Sequence, residues 1–250
     1  MASIYGPVTD WATDFDHADP EYNAHAPEVW AELRDRCPVA HTDRYTGTWL
    51  PVTHEHVTQI AYDTEHFTSR AVVVVPFKPF AQAPIGNAPP ISSDPPFHHE
   101  ARRLLLPAFA PKVIEPWEKD IRNLCRSLLD AMGDADVVDA AIQYAQHIPV
   151  NVIALMLGFP LEDSDRFRGF VHEILEGVNV EPELRFAAFG RLADYLQIQI
   201  DDHIENPRND LTTFLLDAKI GDQPLSIDHV RGTIVLLLLA GIDTTWSAIG

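Results

Sequence analysis

His98 and Arg102 stand four residues apart in a segment, 94–111, that reads Asp-Pro-Pro-Phe-His-His-Glu-Ala-Arg-Arg-Leu-Leu-Leu-Pro-Ala-Phe-Ala-Pro. On a helix that spacing puts both side chains on one face. An imidazole beside a guanidinium is a donor-rich, cationic patch suited to a carboxylate, which Arg can grip with two parallel hydrogen bonds. A second group with chemical potential lies at 233–250, Thr-Ile-Val-Leu-Leu-Leu-Leu-Ala-Gly-Ile-Asp-Thr-Thr-Trp-Ser-Ala-Ile-Gly. Here an apolar run meets Ala240, Gly241, Asp243, Thr244 and Thr245. A helix apolar all round is a buried helix, and an acid within one is costly unless it is paired. Gly241 adds about 1 kcal/mol of helix penalty relative to Ala. Several local rules broken at one place mark a functional position.

The pieces have plainer explanations one at a time. A His and an Arg at this spacing often form only a solvated face. A helical glycine marks a close packing contact, and a threonine can bond back to a carbonyl one turn earlier. These do not account for the whole string after four leucines. The unbroken apolar run, Ile234–Ile242, is also well short of the roughly 20 residues a bilayer requires, so a core helix is expected there and not a membrane span.

The elements that must position these groups are mostly helices. Apolar periodicity and breakers predict helices over 27–36, 54–63, 112–132, 140–157, 161–177, 183–205 and 210–216, with a strand over 47–52 and at most a short one at 137–138. Residues Ile121, Leu124, Cys125, Leu128 and Leu129 share one face of the 112–132 helix. Gly158 and Pro160 end the 140–157 helix. Ser226 is the expected N-cap of the last helix, while Asp94 and Pro95 suit the N-cap and first position of the helix that carries His98. Residues 71–93 form a long loop with five prolines, and its apolar residues Phe77 and Ile91 disfavour disorder.

Taken together, the two motifs resemble those of the cytochromes P450, the heme-thiolate monooxygenases. Asp-Pro-Pro-x-His-x-x-x-Arg followed by Phe109-Ala110-Pro111, and then Ala-Gly-x-Asp-Thr-Thr, occur in the family's order. The resemblance implies a mainly α fold with small β elements, of which residues 1–250 form the N-terminal portion of a single domain, ending after the distal, oxygen-binding helix. It implies heme b as cofactor, with His98 and Arg102 on a propionate. Ala240 and Gly241 would lie over the iron, Asp243 and Thr244 would form the acid–alcohol pair at a local kink, and Thr245 would stand beside them. The 71–93 loop becomes a lid over the substrate. Phe77, Ile91, Leu236 and Leu239 are the expected pocket wall, all apolar, so the substrate is expected to be a hydrophobic small molecule. Dioxygen and a ferredoxin-type or reductase electron donor complete the expected partners. Neither Cys37 nor Cys125 lies in the family's Phe-x-x-Gly-x-x-x-Cys-x-Gly loop. No metal ligand is therefore expected within the chain, and the axial cysteine is expected downstream of Gly250. A chain ending there would be an inactive helical module.

Composition narrows the alternatives. The formal net charge is −19, from 18 basic and 37 acidic residues, which disfavours nucleic acid and anionic membranes as partners. Two cysteines make no disulfide framework. The N-terminus has no basic start followed by an apolar core, so a cytoplasmic protein without a membrane anchor is expected. One rival class comes from 201–205, Asp-Asp-His-Ile-Glu, and 209–217, Asn-Asp-Leu-Thr-Thr-Phe-Leu-Leu-Asp. These resemble the Mg²⁺ motifs of class I terpene synthases, and clustered carboxylates suit Mg²⁺. In those enzymes the motifs are far apart in sequence; here they abut.

Overall fold

A computed structural model of the chain describes residues 5–70, 88–175 and 182–250. It divides into two compact units, residues 1–86 and 87–250.

In the first unit, α1 (Pro20–Arg36) starts at a proline behind Asp19, whose carboxylate accepts from the Glu21 amide. The sequence suggested a start at Pro27. Pro27 is instead internal, and the chain bends just before it at His25 (φ −131°, ψ 29°), because a proline within a helix removes a donor and crowds the preceding turn. Strands β1 (Val39–Thr42) and β2 (Thr48–Pro51) form an antiparallel hairpin that pairs Val39 with Pro51 and Thr42 with Thr48. Helix α2 (His54–Tyr62) is capped by Thr53. Ala12, Phe15, Val29, Leu33 and Ala40 make the core. Beside it, buried Arg44 grips Asp14 bidentately at 2.7 and 2.8 Å and reaches Asp16 at 2.8 Å. Such a fork holds planar geometry as well as charge. The loop that delivers Arg44 has positive φ at Tyr45 and Thr46 (55° and 68°).

The second unit holds both motifs. Its helices are α3 (Phe97–Leu105), α4 (Pro111–Ile114), α5 (Glu118–Met132), α6 (His147–Leu157), α7 (Ser164–Leu175), α8 (Pro182–Glu205), α9 (Leu211–Asp217) and α10 (Ile227–Ile249), with a small antiparallel hairpin of β3 (Lys219–Ile220) and β4 (Gln223–Pro224) before α10. One core joins α3, α6, α7, α8, α9 and α10 through Leu105, Leu157, Phe167, Leu196, Leu215, Ile234, Leu238 and Ile242. Side chains of this size each contribute about 1.5–3 kcal/mol when fully buried. Gly158 ends α6 in the left-handed region (φ 72°), as its position after the apolar run suggested.

Several boundaries differ from expectation. Helix α3 begins at Phe97, with Pro96 in the cap position and no side-chain cap. Asp94 contributes its carbonyl, accepting from the His98 amide at 3.0 Å. Pro95 cannot open the helix because a residue that precedes a proline is pushed out of the α region. The expected 112–132 helix is interrupted by a 3₁₀ turn over Glu115–Trp117, where Pro116 lacks an amide to donate. The stretch before α6 runs as a π-helical turn over Ala141–Ala145, and Val137 and Val138 are not in a strand. Helix α10 is longer than its apolar run. Its 23 residues are long and apolar enough by length and composition to cross a membrane, since Asp243 alone does not cancel its hydropathy. In this structure α10 packs most extensively on α6 and places Val230, Ile234, Leu238 and Ile242 in the core.

Candidate functional site

Helix α10 is set by a clear start. Ser226 caps it, accepting from the His229 amide at 3.2 Å. It then runs as one helix to Ile249. One side carries the core residues Ile234, Leu238 and Ile242. Farther along, Ala240, Thr244, Thr245 and Ala248 are exposed and Asp243 is half-buried. The acid and hydroxyls of the motif thus border an open, small-residue face, not the sealed core. No kink opens at the motif; the Thr244 hydroxyl instead donates to the Ala240 carbonyl at 2.9 Å. Gly241 turns toward α6, where a Cβ would meet Ile153 Cδ1 at 3.5 Å, ordinary contact distance that leaves room for a methyl group. Of the expected pocket wall, Leu236 and Leu239 are half-buried on α10 and Ile91 is 45% exposed. Phe77 lies outside the described residues.

Helix α3 presents His98, half-buried, and Arg102, exposed, one turn apart. It is fixed to the same unit at both ends. Leu105 enters the shared core, and the Phe97 ring lies 5.4 Å from the His229 ring on the first turn of α10. Burial holds the His229 imidazole below the usual range, which favours a neutral ring against Phe97. From His229 to Asp243 is 14 residues, or about 21 Å along the helix axis. Phe97, on the helix that carries His98 and Arg102, thus touches the first turn of α10, and the acid–alcohol segment lies toward the other end of that helix. A guanidinium and an imidazole one turn apart suit an acid group, and the small side chains of Ala240, Thr244 and Ala248 leave room for a flat ligand at the exposed face of α10.

The abutting acidic motifs behave differently. Asp202 pairs with Arg208. Asp210 caps α9, accepting from the Thr213 amide at 2.9 Å. His203, fully buried, has Nδ1 2.6 Å from the Gln199 carbonyl and Nε2 3.2 Å from Asp210. The Thr212 hydroxyl donates to the Leu157 carbonyl at 2.7 Å. These contacts lock the end of α6 to α8 and α9. Of the two cysteines, the Cys37 thiol donates to the Val39 carbonyl at 3.3 Å and Cys125 meets the Tyr144 hydroxyl, whose ionisation it pushes up.

No family model matches the chain. Individual proteins do. A cytochrome P450 of Priestia megaterium, P450(MEG), is 27% identical over 233 residues, covering 88% of this chain and 56% of that protein. The steroid C26-monooxygenase of Mycolicibacterium smegmatis is 26% identical over 262 residues, covering 97% and 61%. Among solved structures, CYP109E1 from Bacillus megaterium, in complex with testosterone, superposes with a TM-score of 0.75 at 26% identity, over 90% of this chain and 59% of that one. The proteins it matches are bacterial cytochrome P450s, and its fold is theirs. Mycobacterium marinum CYP268A2 adds a TM-score of 0.79 at 22% identity over 99% of this chain, evidence for the P450 fold alone. The chain spans about three-fifths of the length of these P450 relatives.

Proposed function

We propose that the chain is part of a heme-dependent monooxygenase that oxidises a hydrophobic small molecule. The observation that carries this is the open face of α10 bearing Ala240, Asp243 and Thr244, in one compact unit with the His98–Arg102 pair of α3. We read both units as parts of one P450 domain, which matches spanning nearly the whole chain support. Heme, when bound, would supply dioxygen binding and oxygen insertion, chemistry no side chain provides. The chain's residues do the rest. Arg102 and His98 bind and orient the heme by its propionates. Ala240 keeps the open face of α10 low enough for a flat ring to approach. Asp243, at the border between core and open face, holds and passes a proton. Thr244 donates its hydroxyl proton either to the Ala240 carbonyl, as here, or outward across the face. Thr245 lines the same edge. Leu236, Leu239, Ile91 and Phe77 supply an apolar wall that excludes water and fits a hydrophobic ligand.

The names of relatives support the substrate class: one is a steroid monooxygenase and another was solved with testosterone. We propose a steroid- or fatty-acid-like substrate, dioxygen, and a ferredoxin-type or reductase electron donor in the cytoplasm. The deciding experiment is the absorbance spectrum of purified protein, reduced and exposed to carbon monoxide, with intact mass on the same sample. A red-shifted thiolate-type band is expected from protein that carries the axial cysteine. Heme-free protein with that cysteine present would overturn the reading.

A further inference from the structure

A threonine inside a helix ordinarily bonds back to a carbonyl one turn earlier, and Thr244 does so. Thr233, two turns before Ala240 on the same helix, does not. It is 1% exposed, and its hydroxyl donates to the Pro89 carbonyl at 3.1 Å, 144 residues away in sequence. The Pro89 carbonyl belongs to a buried turn, where a polar group needs a partner. That turn is itself closed: the Ala88 amide donates to Ser92 Oγ at 2.9 Å and the Ser92 amide to the Ala88 carbonyl at 3.2 Å, with Ala88 and Ser92 both buried. One turn before Thr233, His229 packs on Phe97. At about 100° per residue, His229, Thr233, Ala240 and Thr244 fall within one narrow face of α10. Pro89 and Phe97 meet that face at Thr233 and His229, and it is exposed at Ala240 and Thr244.

Resting on the P450 reading above, we propose that Thr233 is a positioning residue: its hydroxyl pins the turn Ala88–Ser92, which carries Ile91, at a fixed distance along α10 from the open face that receives heme and substrate. It touches neither. Its role is to set where the apolar wall stands relative to Ala240 and Thr244.

Amide hydrogen exchange on the full chain tests this. Thr233→Val keeps the shape of the side chain and removes the hydroxyl. The amides of Ala88 and Ser92 should then exchange roughly tenfold faster, because a buried carbonyl has lost its donor, while the α6 amides keep wild-type protection. Thr233→Ser, which restores the hydroxyl, should return the turn to wild-type exchange. If Thr233→Val also loosens α6, Thr233→Ala replaces it and must give the same local result. Wild-type protection of the turn without the hydroxyl, or a Ser variant that exchanges like Val, overturns the assignment. Hemin binding to the same samples is read separately: a wild-type protein carrying the axial cysteine that fails to bind hemin counts against the P450 reading and leaves the anchoring result intact.

Discussion

Thr244 gives its hydroxyl proton to the carbonyl of Ala240, one turn back, on a face of α10 that is open. The bond satisfies the hydroxyl without fixing it, because an exposed rotor can exchange that partner for another at small cost. Thr244→Ala should change stability by no more than about 0.5 kcal/mol, as for other exposed substitutions, and should leave heme binding intact. In the reconstituted enzyme it should divert electrons from product to hydrogen peroxide. Peroxide released per NAD(P)H consumed is the measurement; wild-type coupling would remove Thr244 from the proton path.

On the proposed reading, His98 and Arg102 of α3 together hold a heme propionate. Loss of either should weaken heme retention, with Arg102→Ala the larger effect because a bidentate guanidinium contact is lost. A fall of roughly tenfold or more in hemin affinity is expected for Arg102→Ala, on the scale of a charged hydrogen bond. Arg102→Lys should recover only part of it, since an ammonium cannot bind in the same fork. Hemin titration of the variants checks both statements.

Gly158 holds no spare room. A Cβ there would sit 2.0 Å from Asp210 Oδ2 and 2.9 Å from His203 Nε2, on backbone at φ +72°. Gly158→Ala must move the buried His203–Asp210 pair or the end of α6, and should cost more than about 2 kcal/mol, by strain and by disturbance of a buried pair. Asp210→Ala should cost about 3 kcal/mol or more, since it removes the cap of α9 and leaves His203 buried without its acid. Urea unfolding followed by far-UV circular dichroism would report both; a Gly158→Ala midpoint equal to wild type would contradict the packing described.

Acid should act on the first unit through Asp14. The Arg44 guanidinium holds its carboxyl below the usual value of 3.8. A carboxylate whose folded pKa is depressed stabilises the fold fully above the unfolded pKa, and that stability is lost as pH falls through the folded pKa. The contribution should therefore be present at pH 5 and above and fade below about pH 4. Tryptophan fluorescence of Trp11 and Trp30 during acid titration should show the transition, and Asp14→Asn should flatten its pH dependence by removing the titrating group. An unchanged acid profile in that variant would show that the pair does not carry the linkage.

The helices most legible in the sequence were those whose signals are local. Ser226 before an apolar run and Gly158 after one gave a start and a stop that the structure keeps. Three of the boundary misses involve prolines. Pro95–Pro96 and Pro27 act on the residue or turn beside them, so helix α3 starts after its prolines and α1 bends before Pro27, while Pro116 breaks its helix in place. Hairpin β1–β2 was half seen, because β2 carries an apolar run while β1 is defined by pairing with it. Of the site, the motif residues were readable because their types are unusual for a helix. The roles of Thr233, His203 and Arg44 were not: each depends on a partner at least 28 residues or one fold element away, or on burial that no local pattern encodes. A threonine in an apolar helix was the only signal for Thr233, and Thr244 gives the same signal with a different partner.

The sharing of one face of α10 by Thr233 and Ala240 makes the helix a ruler. Seven residues separate the two, about 10.5 Å of rise and nearly two whole turns. Inserting or deleting a single residue between them would swing the open face about 100° away from the turn pinned at Pro89. Length in this stretch is therefore constrained by the anchor, whereas a change of side chain at half-buried Leu236 leaves the spacing intact. New ligand preferences in proteins built this way should arise by substitution between the two marks and not by changes in their spacing.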